Sequence, residues 1–373
     1  MMRLFFTVTN DLSYDQRMIR ICTSLSSAGY NVVLVGRRLP DSKPLIQMPF
    51  RQKRISCFFK KGKTFYTEYN VRLFFFLLFK KIDLVCAIDL DTILPCYFIS
   101  KIKSIKRVYD AHELFCEMKE IVTRPATYKI WKRIEKFSVP KFKYGYTVND
   151  PIAKEFEKMY GVNYAVIRNM PLLNTLNIPE KKEKYILYQG AVNEGRSFET
   201  LIPAMKKVNA RLFIAGNGNF LSKAKQLASE DKLEEKIVFL GNLVPGELQI
   251  YTRNAWIGIT LFEKTGLSNY FSLANRFFDY IHAGIPQLCV NYPVYQEINK
   301  MYDIAVVIDD LSAESIADKL NWLLNDEILY NRLQKNCKTA RTELNRQNEE
   351  KKLIQFYNNL FGKLGSSSPH SMS

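Results

Sequence analysis

Apolar positions along the chain fall into two alternating patterns: short continuous runs, and longer stretches with apolar residues three and four apart. The first pattern predicts strands buried on both faces, the second amphipathic helices. Arg3–Thr9 reads as a strand, and Met18, Ile19, Ile21, Cys22 and Leu25 then mark one face of a helix running to about Ala28. Asp11 or Ser13 is placed to cap that helix, and Gly29 closes it before a second strand, Asn31–Gly36. A strand, a helix and a strand in this order predict a parallel sheet. Leu84–Ile88, Arg107–Tyr109, Tyr144–Val148 and Ala165–Arg168 continue the strands, and Lys129–Lys136 is a basic helix. Asn149-Asp150-Pro151 is a cap and first-turn signal for a helix to Tyr160.

Residues 171–184 carry proline, asparagine and charge without a periodic apolar face, and read as a linker. Strands resume at Tyr185–Gly190, Arg211–Ala215, Ile237–Leu240, Ile257–Phe262, Gln287–Val290 and Ile304–Ile308. Helices are expected from Ser197, over Glu247–Arg253 and Asn275–His282, and over about 312–324, 326–345 and 348–361. The expected organisation is therefore α/β, with one domain over 1–170 and a second over 185–345. A last helix within 346–363 and a disordered Ser-rich tail over 364–373 complete it.

Composition narrows the class. A 373-residue chain with 47% hydrophobic residues is long enough for two cores and too apolar to be disordered. The seven cysteines are scattered with no CxxC pair, which points to reduced thiols and away from a zinc site. Met1 to Phe6 is too short an apolar run for a signal peptide, and no run reaches membrane-spanning length, so a cytoplasmic protein is expected. Of the net charge of +17, residues 1–170 hold +15 (30 Lys/Arg against 15 Asp/Glu) and the remainder +2. A basic first half implies an anionic partner such as a membrane surface or a phosphorylated acceptor. Between residues 50 and 81, Lys and Arg are interleaved with Phe58, Phe59, Phe65, Tyr66, Tyr69 and the run Leu73–Phe79. That mixture suits the inner face of a membrane, and Val71–Phe79 also reads as a plain core helix. A nucleic-acid partner is not expected.

Candidate chemistry gathers at strand ends, where open parallel sheets place ligands. The first strand is followed by no GxGxxG, so no dinucleotide fingerprint is present there. Asp15 and Arg17 flank the first loop, either at a cleft or as a solvated charge pair of the first helical turn. Asp89 and Asp91 follow one strand, and Asp110, His112 and Glu113 another. Of the three histidines, His112 alone lies where chemistry is expected. In the second half Arg196 immediately precedes a helix start, where a guanidinium adds a bidentate phosphate clamp to free N–H groups. The stretch GLSNYFSLANRFFDYIHAGIPQLCV, from Gly266 to Val290, reads as a polar loop, a helix, a Gly-Ile-Pro stop and a buried strand.

Four segments in order, YQGAVNEGRSFETLIPAM, LFIAGNGNF, VFLGNLVPGELQIYTRNA and SNYFSLANRFFDYIHAGIPQ, resemble the GT-B retaining glycosyltransferases of glycosyltransferase family 4. DQRMIRICTSLSSAGYNVVLVG, AIDLDTILP and VYDAHELF in the first half are similar to the family's acceptor-side loops. The resemblance implies two Rossmann-like domains facing a cleft, no metal and no cofactor. A UDP- or GDP-linked sugar would be the donor, and a saccharide or polyprenyl-linked saccharide the acceptor, in surface polysaccharide synthesis. It implies close backbone approach at Gly190 and diphosphate neutralisation by Arg196. Gly216, Asn217 and Leu243 would flank the base. Ser272, Leu273, Asn275 and Arg276 would meet phosphate or sugar, and Asp279 the ribose. His112, with Asp110 and Glu113, would serve the reacting region, and Asp15, Arg17, Asp89 and Asp91 the acceptor side.

The chain departs from the family's pattern twice. The first of two glutamates eight residues apart falls on Phe271, the second on Asp279, and the loop 191–196 has Arg196 but no lysine. Charge on the departing phosphate would be stabilised by Arg196, helix N-termini and Arg276. A nucleotide-sugar 2-epimerase has the same architecture, and a two-domain solute-binding protein is a non-enzymatic alternative.

Overall fold

The computed structural model describes residues 1–13, 15–173 and 183–362, which form two compact units. Unit 1 comprises Met1–Asn169 together with the chain from Asn348 onward, and unit 2 comprises Met170–Gln347. Most of the expected linker and all of the expected tail lie outside the described residues.

Unit 1 contains β1 (Arg3–Asp11), α1 (Gln16–Ser27), β2 (Asn31–Arg38), β3 (Arg51–Ser56), α2 (Gly62–Leu78), β4 (Leu84–Ile88) and α3 (Ile93–Ile102). β5 (Lys106–Ala111), α4 (Lys119–Val122), α5 (Pro125–Ser138), β6 (Tyr144–Thr147), α6 (Asp150–Tyr160) and β7 (Ala165–Val166) follow. Its strands form a parallel sheet in the order β3-β2-β1-β4-β5-β6-β7, with Phe5 facing Val33 on one side and Val85 on the other. β1 and β4 are apolar because helices cover both faces of a parallel sheet. β3, with sequence RQKRIS, is an edge strand, mostly exposed, and carries no apolar signal. It was not expected from the pattern.

Unit 2 contains β8 (Tyr185–Gln189), α7 (Phe198–Ala204), β9 (Arg211–Ala215), α8 (Leu221–Glu230), β10 (Ile237–Gly241), α9 (Pro245–Asn254), β11 (Ile257–Thr260) and α10 (Leu267–Tyr270). It continues with α11 (Asn275–His282), β12 (Gln287–Val290), α12 (Pro293–Tyr302), β13 (Ala305–Ile308), α13 (Ala313–Asn325) and α14 (Glu327–Glu343). The strands again run parallel, in the order β10-β9-β8-β11-β12-β13.

In both sheets the strand order reverses direction beside the first strand, between β1 and β4 and between β8 and β11. Loops leaving the carboxyl ends of such a pair diverge to opposite faces and open a crevice between them. The architecture therefore directs attention to Thr9, Asp89 and Asp91 in unit 1, and to Gly190 and the loop after Thr260 in unit 2.

Local signals explain some of the element ends. Asn149 caps α6 by accepting from the Ile152 N–H at 2.9 Å, and Gly161 ends it in the left-handed conformation. The cap of α1 is Asp15, which accepts from the Met18 N–H at 3.0 Å, in place of the expected Asp11 or Ser13. Asp11 instead pairs with Arg54 at 2.7 Å. Ser197 stands at the start of α7 in a left-handed conformation (φ 59°) and makes no side-chain cap. α15 (Arg346–Leu360) places Leu353 and Tyr357, both fully buried, among Leu4, Phe6, Val8 and Tyr30 of unit 1. The Tyr357 ring lies 6.0 Å from Phe6 and 6.3 Å from Tyr146, and Tyr30 donates to Asn358 at 2.7 Å.

The last helix is thus a core element of unit 1. Leu353→Ala is expected to lower stability by about 3 kcal/mol in urea unfolding, the usual cost of such a cavity. A change within error would show that the helix is dispensable to that core.

Candidate active site

In unit 1 a chain of charges links four elements. Arg17, buried on α1, reaches Asp110 at the end of β5 at 2.7 Å, and Asp110 is fully buried. His112 follows, with Nε2 3.4 Å from the second Asp110 oxygen and Nδ1 3.2 Å from Asp89. The His112 backbone N–H also donates to Asp89 at 2.8 Å. Burial alone would push the Asp110 carboxyl up, but Arg17 and His112 outweigh it and hold its pKa below the ordinary value. Burial likewise favours neutral His112, yet Asp89 and Asp110 reverse the sign and raise its pKa from 6.5 to about 10. His112 is therefore an imidazolium at neutral pH, a donor of positive charge rather than a proton acceptor.

Asp89 holds this arrangement at a cost. Its backbone has φ 51° and ψ −176°, a conformation nearly confined to glycine and worth about 1–3 kcal/mol of strain. Its side chain engages both the backbone and the ring of His112, and its own N–H donates to the Asp110 carbonyl at 2.9 Å. Two residues on, Asp91 accepts from the Thr9 hydroxyl at 2.6 Å, while its other oxygen is buried without a hydrogen-bond partner. Burial, reinforced by Asp89, raises its pKa from 3.8 to about 7 against the pull of Thr9 and His112.

These positions correct two expectations. Asp110 is sealed from solvent and ion-paired, so it orients His112 and Arg17 and has no surface on which to meet an acceptor hydroxyl. Asp15 is the cap of α1 and does not stand with Arg17 in a solvated pair. Glu113 is half-buried beside His112.

In unit 2 the turn after β8 lies against the turn after β9. Gly190 and Gly216 have φ 122° and 149°, and a Cβ on Gly216 would come within 1.8 Å of the Gly190 carbonyl oxygen. Only glycine fits there, and the two backbones touch. Asn217 is exposed beyond this contact, and its carbonyl accepts from the Val192 N–H at 3.0 Å. Arg276, buried on α11, sends Nε to the Ile259 carbonyl at 3.0 Å and lies 3.5 Å from both the Tyr188 hydroxyl and the Leu261 carbonyl. Among the described residues its hydrogen-bond partners are all neutral. Its guanidinium stands over the Phe262 ring at 4.5 Å and over Tyr188 at 4.6 Å, and that of Arg196 over Phe262 at 4.4 Å. A Cβ on Gly190 would lie 3.4 Å from Arg276 Nη1. The two arginines thus share one aromatic ring beside the glycine turn.

Asp279, one turn into α11, accepts from Gln189 Nε2 at 2.9 Å, and Thr252 donates to the other end of that amide at 2.7 Å. Ser272 and Leu273 precede α11, where the Ala274 N–H is taken by the Tyr295 hydroxyl at 2.9 Å, and Asn275 is exposed. Leu243, after β10, packs at the edge of the core around Tyr185 and Leu187. The sequence offered no sign of Gln189, Tyr188 or Phe262 as supports, because an apolar or amide residue in a buried strand reads only as core. The loop after β11 adds a further feature. The Glu263 N–H donates to the Gly195 carbonyl at 3.0 Å, and the next residue, Lys264, holds its ammonium over the Tyr270 ring at 4.4 Å.

Residues 175–340 match the family model described as glycosyl transferases group 1. No curated protein matches the sequence. Among solved structures, a sucrose-phosphate synthase from Thermosynechococcus elongatus is similar with a TM-score of 0.80 at 14% identity, over 98% of this chain and 100% of that one. A glycosyltransferase from Rickettsia africae matches with a TM-score of 0.74 at 12% identity, over 98% and 99% of the two chains. HepE from Anabaena, in complex with UDP and glucose, matches with a TM-score of 0.75 at 11% identity, over 98% and 100%. The chain has the GT-B fold, as the sequence resemblance implied. The match to the glycosyl transferases group 1 model falls within its second unit.

The charge states in unit 1 make stability depend on pH in a set direction. Asp91 has a raised pKa, so its burial costs nothing below about pH 4 and costs fully above about pH 7. Asp91→Asn is expected to flatten the fall in melting temperature between those values, and an unchanged slope would remove the assignment. His112 contributes stability that is complete below pH 6.5 and lost as pH rises through about 10. His112→Gln is expected to lose that alkaline transition in a melting series from pH 6 to about 10.5.

Proposed function

We propose that unit 2 binds a nucleoside-diphosphate sugar and that unit 1 supplies an acceptor saccharide together with the His112 cation. The observation that carries the reading is Arg276. A buried guanidinium with neutral partners is costly unless an anion completes it. It lies beside the Gly190–Gly216 contact, where backbone can approach a phosphate closely, and Arg196 adds a second cation across Phe262. The diphosphate thus meets two arginines, and Asp279, held by Gln189, accepts from ribose hydroxyls. The HepE complex favours uridine as the base.

Transfer breaks the bond between the sugar and the diphosphate and leaves charge on the departing phosphate. Arg196 and Arg276 stabilise that charge. His112, as an imidazolium, donates to sugar oxygen or developing negative charge. Retention of anomeric configuration follows from the family 4 resemblance. The basic first half fits an acceptor carried on a polyprenyl diphosphate at the inner face of a membrane, in surface glycan synthesis.

Arg196→Ala is expected to stay folded and lose about a hundredfold or more in kcat, the usual effect of removing one preorganised donor. Full turnover by the folded variant would sink the assignment. In a thermal-shift screen of UDP- and GDP-hexoses, one donor is expected to raise the melting temperature with concentration, and Arg276→Gln to abolish the shift. Product analysis then separates transfer from epimerisation of the donor.

A further inference from the structure

α2 buries Phe65, Tyr69, Leu73 and Leu77, every fourth residue, against the sheet of unit 1. Its opposite face carries Val71 and Phe75, and the series continues to Phe79 just past its end. A helix that ends its duties at one apolar stripe carries polar residues on the other. Here Phe75 is 53% exposed and Phe79 79%. Neighbouring helices extend the surface. Lys103, just past α3, donates to the Lys80 carbonyl at 3.0 Å, which brings the ends of α2 and α3 together. Ile102 stands there, 60% exposed. Tyr97 of α3 meets Phe137 of α5 edge-on at 5.4 Å, and Phe98 and Phe137 are both exposed.

The charges on this face have one sign. Lys80, Lys81 and Lys101 are exposed at the same helix ends, and Lys141 lies over the Phe137 ring at 3.8 Å. The acids of the three helices are already engaged. Glu68 is held by Arg72 at 2.8 Å and by the N–H groups of Phe58 and Phe59, Glu135 is buried against Lys132 at 2.7 Å, and α3 contains no acid. No helix among the described residues is long and apolar enough to cross a membrane.

We propose that the face formed by α2, α3 and α5 docks on an anionic lipid bilayer, inserting Phe75, Phe79, Phe98 and Ile102 below a ring of lysines. Apolar side chains flanked by ammonium groups match an interface whose surface is negative and whose interior is hydrocarbon. A protein partner would need acids of its own opposite these lysines, and charge complementarity alone is met by any anionic leaflet. The proposal rests on the reading that the acceptor is carried by a membrane, and it specifies which surface of unit 1 makes the contact.

The test is flotation of the full chain with vesicles of phosphatidylglycerol and phosphatidylcholine, or of phosphatidylcholine alone. The chain is expected to float with the anionic vesicles, not with the neutral ones, and to be released as salt is raised. Phe79→Ser with Ile102→Ser, both at exposed positions, is expected to weaken vesicle partitioning roughly tenfold or more, since two apolar anchors are lost. Transfer to a short water-soluble acceptor is expected to be unchanged in that variant. No flotation at low salt, or equal flotation of variant and wild type, overturns the proposal. So does a lipid-free dimer that the double variant dissolves while vesicles capture nothing, which would assign the face to a second copy. Flotation without transfer activity upholds the surface and removes the glycosyl-transfer reading instead.

Discussion

A buried cation whose hydrogen-bond partners, among the described residues, are all neutral organises unit 2. Arg276 reaches through α11 to carbonyls of the strand and loop beside it, and its plane is held between Tyr188 and Phe262. Each neutral acceptor satisfies a donor, and none of them neutralises the charge. Gly190 is required by its φ of 122°, and Gly216 by the Gly190 carbonyl, which a Cβ there would strike. The turns after β8 and β9 therefore pack backbone to backbone, at the place where the strand order reverses.

Unit 1 has the opposite balance. Asp89, Asp91 and Asp110 gather at adjoining strand ends against two cations, Arg17 and His112. Burial opposes every ionised form, so the state of each group is set by its neighbours. Asp110 stays charged because Arg17 and His112 face it, and His112 stays charged because two carboxylates do. Asp91, with only a hydroxyl partner, gives up part of its acidity. The strained backbone at Asp89 belongs to the same network, since an ordinary extended residue would carry its carboxylate away from His112.

Much of this was legible in the chain itself. Leu84–Ile88, Arg211–Ala215, Asn275–His282 and Gln287–Val290 fold over the residues that the apolar pattern marks, because a strand covered on both faces must be apolar throughout. β3 was invisible since its faces are largely open to water. The side chain that caps α1 could not be chosen from Asp11, Ser13 and Asp15 by type alone. Arg276 read as one more basic residue near a donor site, and only its surroundings show that it is buried. The exposed stripe of α2 had the same character: Val71–Phe79 fitted a core helix as well as a membrane contact.

The sequence by itself determined the alternation of strand and helix and the α/β fold class, because periodicity and motif order are local properties. It also placed Arg196 just before α7 and His112 just after β5, where the structure has them. Tertiary structure alone decided which charges are paired, which are sealed and which remain available. Arg17 and Asp110 are 93 residues apart in the chain and 2.7 Å apart in the fold. Electrostatic character depends on distance and burial, and neither can be read until the chain has closed on itself.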